Sequence, residues 1–290
     1  MEFWQAVSFT ETDQLIDIAK IAEEVGFAGL GISEHLATPE TIGSPYPYTP
    51  DGKVWWDPNV HWPEPWALAA VLASHTSTLR FVTNVYILPM HDVFSAAKAV
   101  STAAYISGGR VILGAAVGWM KEEFLLTGQD FHTRGRRTDE MLEVMAALFA
   151  GGMVEHHGEF IDFDRVQLAP VPAARVPVYI GGDSEAALRR AARWDGWYGG
   201  GPYHPDQVPG FLDRLARARR EAGTAERPFG IILGLSVPPD LDTFKRMRDL
   251  GVTGLTNVPW YYQGHPTSTI EFKRANMEAF AEQFILPLAD

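Results

Sequence analysis

The chain has no cysteine in its 290 residues. Disulfides, thiolate chemistry and cysteine-ligated metals are therefore excluded. It also lacks an excess of positive charge. Lys and Arg number 24 against 36 Asp and Glu, a formal charge of −12. Nucleic-acid binding needs a basic face and is not expected. No apolar run reaches membrane-spanning length, and the N-terminus lacks the basic-then-apolar order of a signal peptide. No membrane partner is expected, and the expected address is the cytoplasm. A Walker lysine motif, a strand–G-x-G-x-x-G–helix fingerprint and metalloprotease spacing are all missing. His156-His157 is poorly spaced for a shared metal and reads as surface, so no metal is expected.

What the chain does have is apolar content, 46% hydrophobic against 21% charged. A large core can form, and the length suits a single α/β barrel over residues 1–290. Residues 3–9 read as a strand. A helix follows, capped by Thr12 and carrying Leu15, Ile16, Ile18, Ala19 and Ala22 on its buried side. Gly26 ends it, and residues 27–33 form a second strand. Strand, helix and strand with short joins imply parallel pairing and a right-handed crossover. Further strands are expected at 79–85, 110–117, 176–180, 196–199, 229–236 and 252–258. The intervening helices are expected at 64–75, 91–106, 134–149, 184–194, 205–222, 241–250 and 267–284. Eight strands each followed by a helix make a (β/α)8 TIM barrel.

Two segments break the rhythm. Residues 36–63, after the second strand, are rich in proline and aromatics: Tyr46, Tyr48, Trp55, Trp56 and Trp62. A connection this long is either a lid or a surface excursion stapled by its own rings. Residues 151–176, before the fifth strand, alternate around Phe160, Ile161, Phe163 and Val166 as a hairpin does.

Ligands of a barrel bind at the C-terminal ends of its strands. His35 stands at the end of the second strand. Imidazole suits proton exchange near neutral pH, though a lone histidine can equally cap a loop. Glu34 beside it is either a second catalytic group or a salt-bridge partner in the barrel mouth. Gly181-Gly182-Asp183-Ser184 precedes a helix. Its exposed amides have the form of a phosphate site, and a plain helix cap is the alternative.

The most ordered run is Gly108-Gly109-Arg110-Val111-Ile112-Leu113-Gly114-Ala115-Ala116-Val117-Gly118-Trp119. Gly-Gly makes a turn and the apolar run a strand buried on both faces. Gly114 and Gly118 then leave room for a flat ligand or another backbone. Glu122-Glu123-Phe124, Gly128-x-x-Phe131, Arg134-x-x-Arg137 and Asp139-Glu140 follow. Together these motifs resemble the luciferase-like flavin and deazaflavin oxidoreductases, especially the branch that uses coenzyme F420. The likeness runs from about residue 12 to 197, and weakly onward.

The resemblance implies that His35 lies near the reactive face of a deazaflavin or flavin. It implies a bulge at Asn84-Val85, often with a non-proline cis peptide, behind the ring. It puts further cofactor contacts at Gly118, Trp119 and Glu122, and the phosphate at Gly181 to Ser184. Some relatives carry a catalytic carboxylate where Trp119 stands, which speaks against sugar-phosphate oxidation. Arg134, Arg136 and Arg137 could meet an acidic coenzyme tail, with solvated helix charge expected for at least two of them. Trp55, Trp56 and Trp62, with Trp260 and Tyr261 after the eighth strand, are expected to wall the substrate side. The expected activity is hydride transfer between F420 and a small, apolar organic substrate, in a homodimer. The alternatives are an FMN-dependent monooxygenase using O2 and a non-catalytic flavin- or lipid-binding barrel.

Overall fold

The computed structural model describes residues 1–264 and 267–289. Nine parallel strands form its main sheet: β1 (Glu2–Ala6), β2 (Gly29–Ile32), β3 (Arg80–Thr83), β4 (Tyr86–Ile87), β5 (Val111–Ala116), β8 (Val178–Gly181), β9 (Gly196–Tyr203), β10 (Gly230–Leu235) and β11 (Gly254–Asn257). β6 (Val154–His157) and β7 (Asp162–Val166) make the antiparallel hairpin expected before the fifth barrel strand. The order β3-β2-β1-β11-β10-β9-β8-β5 closes through a β3–β5 pairing. β3 and β4 are one stave broken at Asn84-Val85, a cis peptide bond. The barrel therefore has eight staves.

The main helices lie between the staves: α1 (Leu15–Val25), α2 (Pro65–Ser74), α3 (Val93–Ile106), α4 (Lys121–Leu126), α5 (Arg134–Ala150), α6 (Glu185–Ala191), α7 (Val208–Glu221), α8 (Leu241–Asp249) and α9 (Ile270–Phe280). Local chemistry sets several starts. Glu64 accepts from the Ala67 amide, with Pro65 in the first turn of α2. Asp92, Asp240 and Thr269 cap α3, α8 and α9 in the same way. Thr12 does not cap α1. Residues 12–14 form a separate 3-10 turn, and the Thr12 hydroxyl pairs with His61 Nδ1 at 2.9 Å.

The barrel interior is packed by Trp4, Val82, Ile112, Tyr198 and Ile232. Trp4 is 0% exposed. Its indole fits because the neighbouring staves offer Gly29 and Gly254, where a Cβ would fall 2.4 and 2.9 Å from the ring. Gly114 answers a tighter constraint. A Cβ there would lie 1.8 Å from the Thr83 carbonyl oxygen. The Thr83 hydroxyl bonds both the amide and the carbonyl of Gly114 at 2.9 Å, tying β3 to β5 where β3 breaks. The glycine serves the approach of two strands, not of a ligand.

Arg110 explains the Gly-Gly-Arg turn. Its guanidinium donates to the carbonyls of Ser107 (2.8 Å), Leu79 (2.8 Å), Ala73 (2.7 Å) and Thr76 (3.1 Å). It joins the end of α2 to the N-terminal ends of β3 and β5, at the barrel end opposite the cavity described below. Arg110→Ala would leave these carbonyls short of a charged donor. A loss of ~2–4 kcal/mol of stability is expected, read as a lower melting temperature with ligand binding intact. An unchanged melting temperature would make the clamp redundant.

β9 is longer than the four residues expected. It runs eight residues because it keeps pairing with β10 past a register shift at Ile232/Gly234. The extension carries Gly200 and Gly201 over the barrel mouth.

Candidate active site

The C-terminal strand ends open into a cavity of about 650 Å³. Its floor is a chain of small polar groups. Ser8 and Ser33 hydroxyls lie 2.5 Å apart, and Ser33 donates to Asn84 Oδ1 at 2.8 Å. Tyr198 Oη meets Thr256 Oγ1 at 2.7 Å. Burial raises the Tyr198 phenol, with hydrogen bonds to Thr256 and Asn84 opposing that shift. The floor is thus polar but neutral.

His35 stands on one wall. Its Nδ1 lies 3.3 and 3.4 Å from the two oxygens of Glu123, which also accepts the Leu36 amide at 2.7 Å. Trp62, Trp56 and Trp119 enclose the ring at 4.9, 5.3 and 6.1 Å between centroids. Phe9 packs against Trp62 and Trp56 from the end of the first stave. Glu34 has the other fate left open. It accepts the Ile87 amide at 2.5 Å and pairs with His91 Nε2 at 2.9 Å. These bonds anchor β4, and Glu34 also lines the cavity.

The opposite wall is Gly181-Gly182 with Gly199 to Gly201. A Cβ on Gly181 would come 2.6 Å from Val85 Cγ1. Ser184 caps α6 by accepting the Ala187 amide at 3.1 Å, and it also faces the cavity. The Asp183 carboxylate accepts from Tyr203 Oη at 2.5 Å and from the Gly200 amide at 3.2 Å. Burial, with Asp183 close by, raises the phenols of Tyr203 and Tyr48 above their ordinary range. Among the described residues the cavity wall carries no lysine or arginine. Arg214, next to this wall, is spent on Glu185 and the Asp183 carbonyl.

Residues 36–63 cross the mouth as a lid. Tyr46 packs on Trp56 and Trp119, each 5.1 Å away. Tyr48 lies on Gly200 and Gly201, where a Cβ would come within 2.5 and 2.8 Å of it. Glu122 holds the near end, accepting the amides of Gly43 (2.9 Å) and Ser44 (3.1 Å). Burial pushes this carboxyl up, but hydrogen bonds from Ser44 and the Gly43 and Ser44 amides outweigh it and hold the group below its ordinary value. Glu122 therefore tethers the lid and lines an outer groove with Lys121 and Arg134. It stands outside the main cavity, which Glu34 and Glu123 line.

Three residues expected on the substrate side do not line the cavity. Trp260 is 0% exposed, folded into the core by a 3-10 turn (Pro259–Gln263) beside buried Lys273. Tyr261 points behind the cavity and donates to the Ser8 carbonyl at 3.2 Å. Trp55 is 62% exposed and covers Phe9 from outside. Trp56 and Trp62 line the cavity, with Asn84, Val85, Gly118 and Trp119. Gly118 has φ +80°, and a Cβ there would strike Ile87 and Phe124.

The arginines are occupied elsewhere. Arg134 bonds the carbonyls of Gly118 and Phe131, Arg137 that of His91, and Arg136 pairs with Glu159. His156 and His157 pair with Glu140 and Asp162 on the hairpin.

Glu123, Phe9 and Tyr198 escaped the sequence reading. For Glu123 a signal existed: in Glu122-Glu123-Phe124 one glutamate shares the buried side with Phe124.

Residues 4–279 match the luciferase-like monooxygenase family. An uncharacterized protein of Mycobacterium tuberculosis is 37% identical over 289 residues, covering 98% of this chain and 99% of that protein. Among solved structures, the monooxygenase RslO1 from Streptomyces bottropensis superposes with a TM-score of 0.77 at 16% identity, covering 100% of both chains. The coenzyme F420-dependent tetrahydromethanopterin reductase of Methanopyrus kandleri superposes with a TM-score of 0.76 at 14% identity, covering 99% of each. At these identities the structural likeness shows a shared fold.

Proposed function

The chain belongs to the luciferase-like monooxygenase family, and we propose that within it this protein is an oxidoreductase using coenzyme F420 on a small, apolar organic substrate. The family includes proteins of both cofactor types, so the choice needs an observation on this chain. The absence of a cation among the described wall residues, with Asp183 beside the amides where the resemblance implies the phosphate, supports it. FMN ends in a phosphate monoester with a charge of about −1.5 to −2 at neutral pH. The phosphate of F420 is a diester with a single charge. Backbone amides and one serine suit the diester better, and a carboxylate repels the monoester more strongly.

The residues fit a flat ring. Gly181-Gly182 and Gly199 to Gly201 leave one wall bare of side chains, and Val85 with Ala116 supplies apolar contact across from it. When bound, the deazaflavin supplies a hydride-accepting carbon. His35 presents a ring nitrogen to the substrate, to take or return the proton that accompanies the hydride. Trp56, Trp62, Trp119 and Tyr46 exclude water and match an apolar substrate better than a sugar phosphate.

Equilibrium titration of the apo-protein with each cofactor, followed by fluorescence quenching, tests the choice. F420 is expected to bind at least ~10-fold tighter than FMN, a difference of about 1.4 kcal/mol. Micromolar FMN binding with no detectable F420 binding would overturn it and favour an O2-using monooxygenase. The same proposal makes the protein a homodimer, supported by the exposed Val71 on apolar α2 and by Tyr105 and Ile106 on its neighbour α3. It also places the protein in the cytoplasm, where a reduced carrier is regenerated.

A further inference from the structure

We propose that Glu123 is a positioning residue: it holds His35 with the proton on Nδ1 and so turns a bare Nε2 toward the substrate. The inference rests on the reading of His35 as the group that faces substrate.

Four observations carry it. Glu123 is 2% exposed, and the side chain that meets its carboxylate among the described residues is His35. A carboxylate only accepts hydrogen bonds, so its contact with Nδ1 requires the proton there. Histidine free in water prefers the other tautomer, so the protein selects the less common one. Second, Leu36 donates to the same carboxylate at 2.7 Å. The acceptor is therefore fixed to the backbone of the residue next to His35. Third, the three tryptophans around the imidazole leave it little freedom to flip. Fourth, Nε2 makes no hydrogen bond among the described residues, and the ring lines the cavity. Its remaining partner is what the cavity receives.

Glu123 lines the cavity behind His35, and its proposed role runs through the imidazole. This is the logic of a carboxylate that sets the tautomer of a catalytic histidine in hydrolases, here facing a redox cavity.

Glu123→Gln separates positioning from mere support. The amide oxygen can still accept from Leu36, so a structural role survives. The amide nitrogen donates to Nδ1 and drives the proton to Nε2. The readout is the nitrogen-15 spectrum of the histidines in ligand-free protein above pH ~8, where an ordinary imidazole is neutral. Wild type is expected to show His35 protonated on Nδ1, and Glu123→Gln to show it on Nε2. With F420 and substrate, Glu123→Gln is expected to lose about 100-fold or more in kcat, with KM within about threefold. A wild-type ring protonated on Nε2 or on both nitrogens overturns the proposal. So does an unchanged tautomer or full turnover in the variant. The spectrum is recorded without cofactor, so it reports the tautomer even where F420 fails to bind.

Discussion

His35→Ala is expected to lower turnover on the order of a hundredfold or more while cofactor affinity stays within about twofold. The ring is the one imidazole in the cavity and carries a nitrogen free of protein partners among the described residues. The cofactor's expected contacts lie instead on Val85, Gly181 and Gly182. Removing the ring also strips buried Glu123 of a hydrogen-bond donor. Losing one donor to a buried carboxylate costs about 1–3 kcal/mol, with the Leu36 amide still bound to it. Loss of activity in His35→Ala thus mixes chemistry with stability. His35→Asn separates them, since its amide can donate to Glu123 but cannot exchange a proton. It should melt near wild type and remain as inactive as the alanine variant. Wild-type turnover in His35→Asn would make the residue structural.

The second large effect is on folding. Gly114→Ala is expected to cost more than about 4 kcal/mol, a large part of the roughly 5–15 kcal/mol that stabilises a typical domain. The added carbon would sit 1.8 Å from the Thr83 carbonyl oxygen. That neighbour is backbone, paired on both sides in a closed barrel, and it cannot rotate away. β3 and β5 must separate, and both bonds of the Thr83 hydroxyl to Gly114 are lost. Denaturant titration of the soluble fraction measures the loss. A midpoint equal to wild type would mean the seam opens freely.

The barrel was legible because its signals are local and repeated. Apolar runs alternate with helices that start at their own caps, such as Glu64-Pro65 and Asp92. His35, Asn84-Val85 and Gly181-Gly182 were legible as cavity residues because the end of a strand fixes where they stand. Direction and phase were not. Trp260 follows the eighth stave as predicted, yet its turn folds inward, a choice made by packing against α9 and Lys273. Glu122 and Glu123 differ by one step on a six-residue helix. Which of them faces the cavity is decided by Leu36, Gly43 and Ser44, far earlier in the chain. Asp183 reads as part of an anion site in sequence. Only the arrival of Tyr203 and Gly200 shows its carboxylate already engaged.

Among the lid's fastenings are two on different staves, Glu122 beside β5 and Tyr48 on β9. The fastenings differ in kind. One is a set of hydrogen bonds to a carboxylate, lost as that carboxylate takes up a proton; the other is a ring on bare backbone, indifferent to acid. In acid below the ordinary carboxylate range the α4 edge loosens first and exposes His35. Near neutrality both contacts hold.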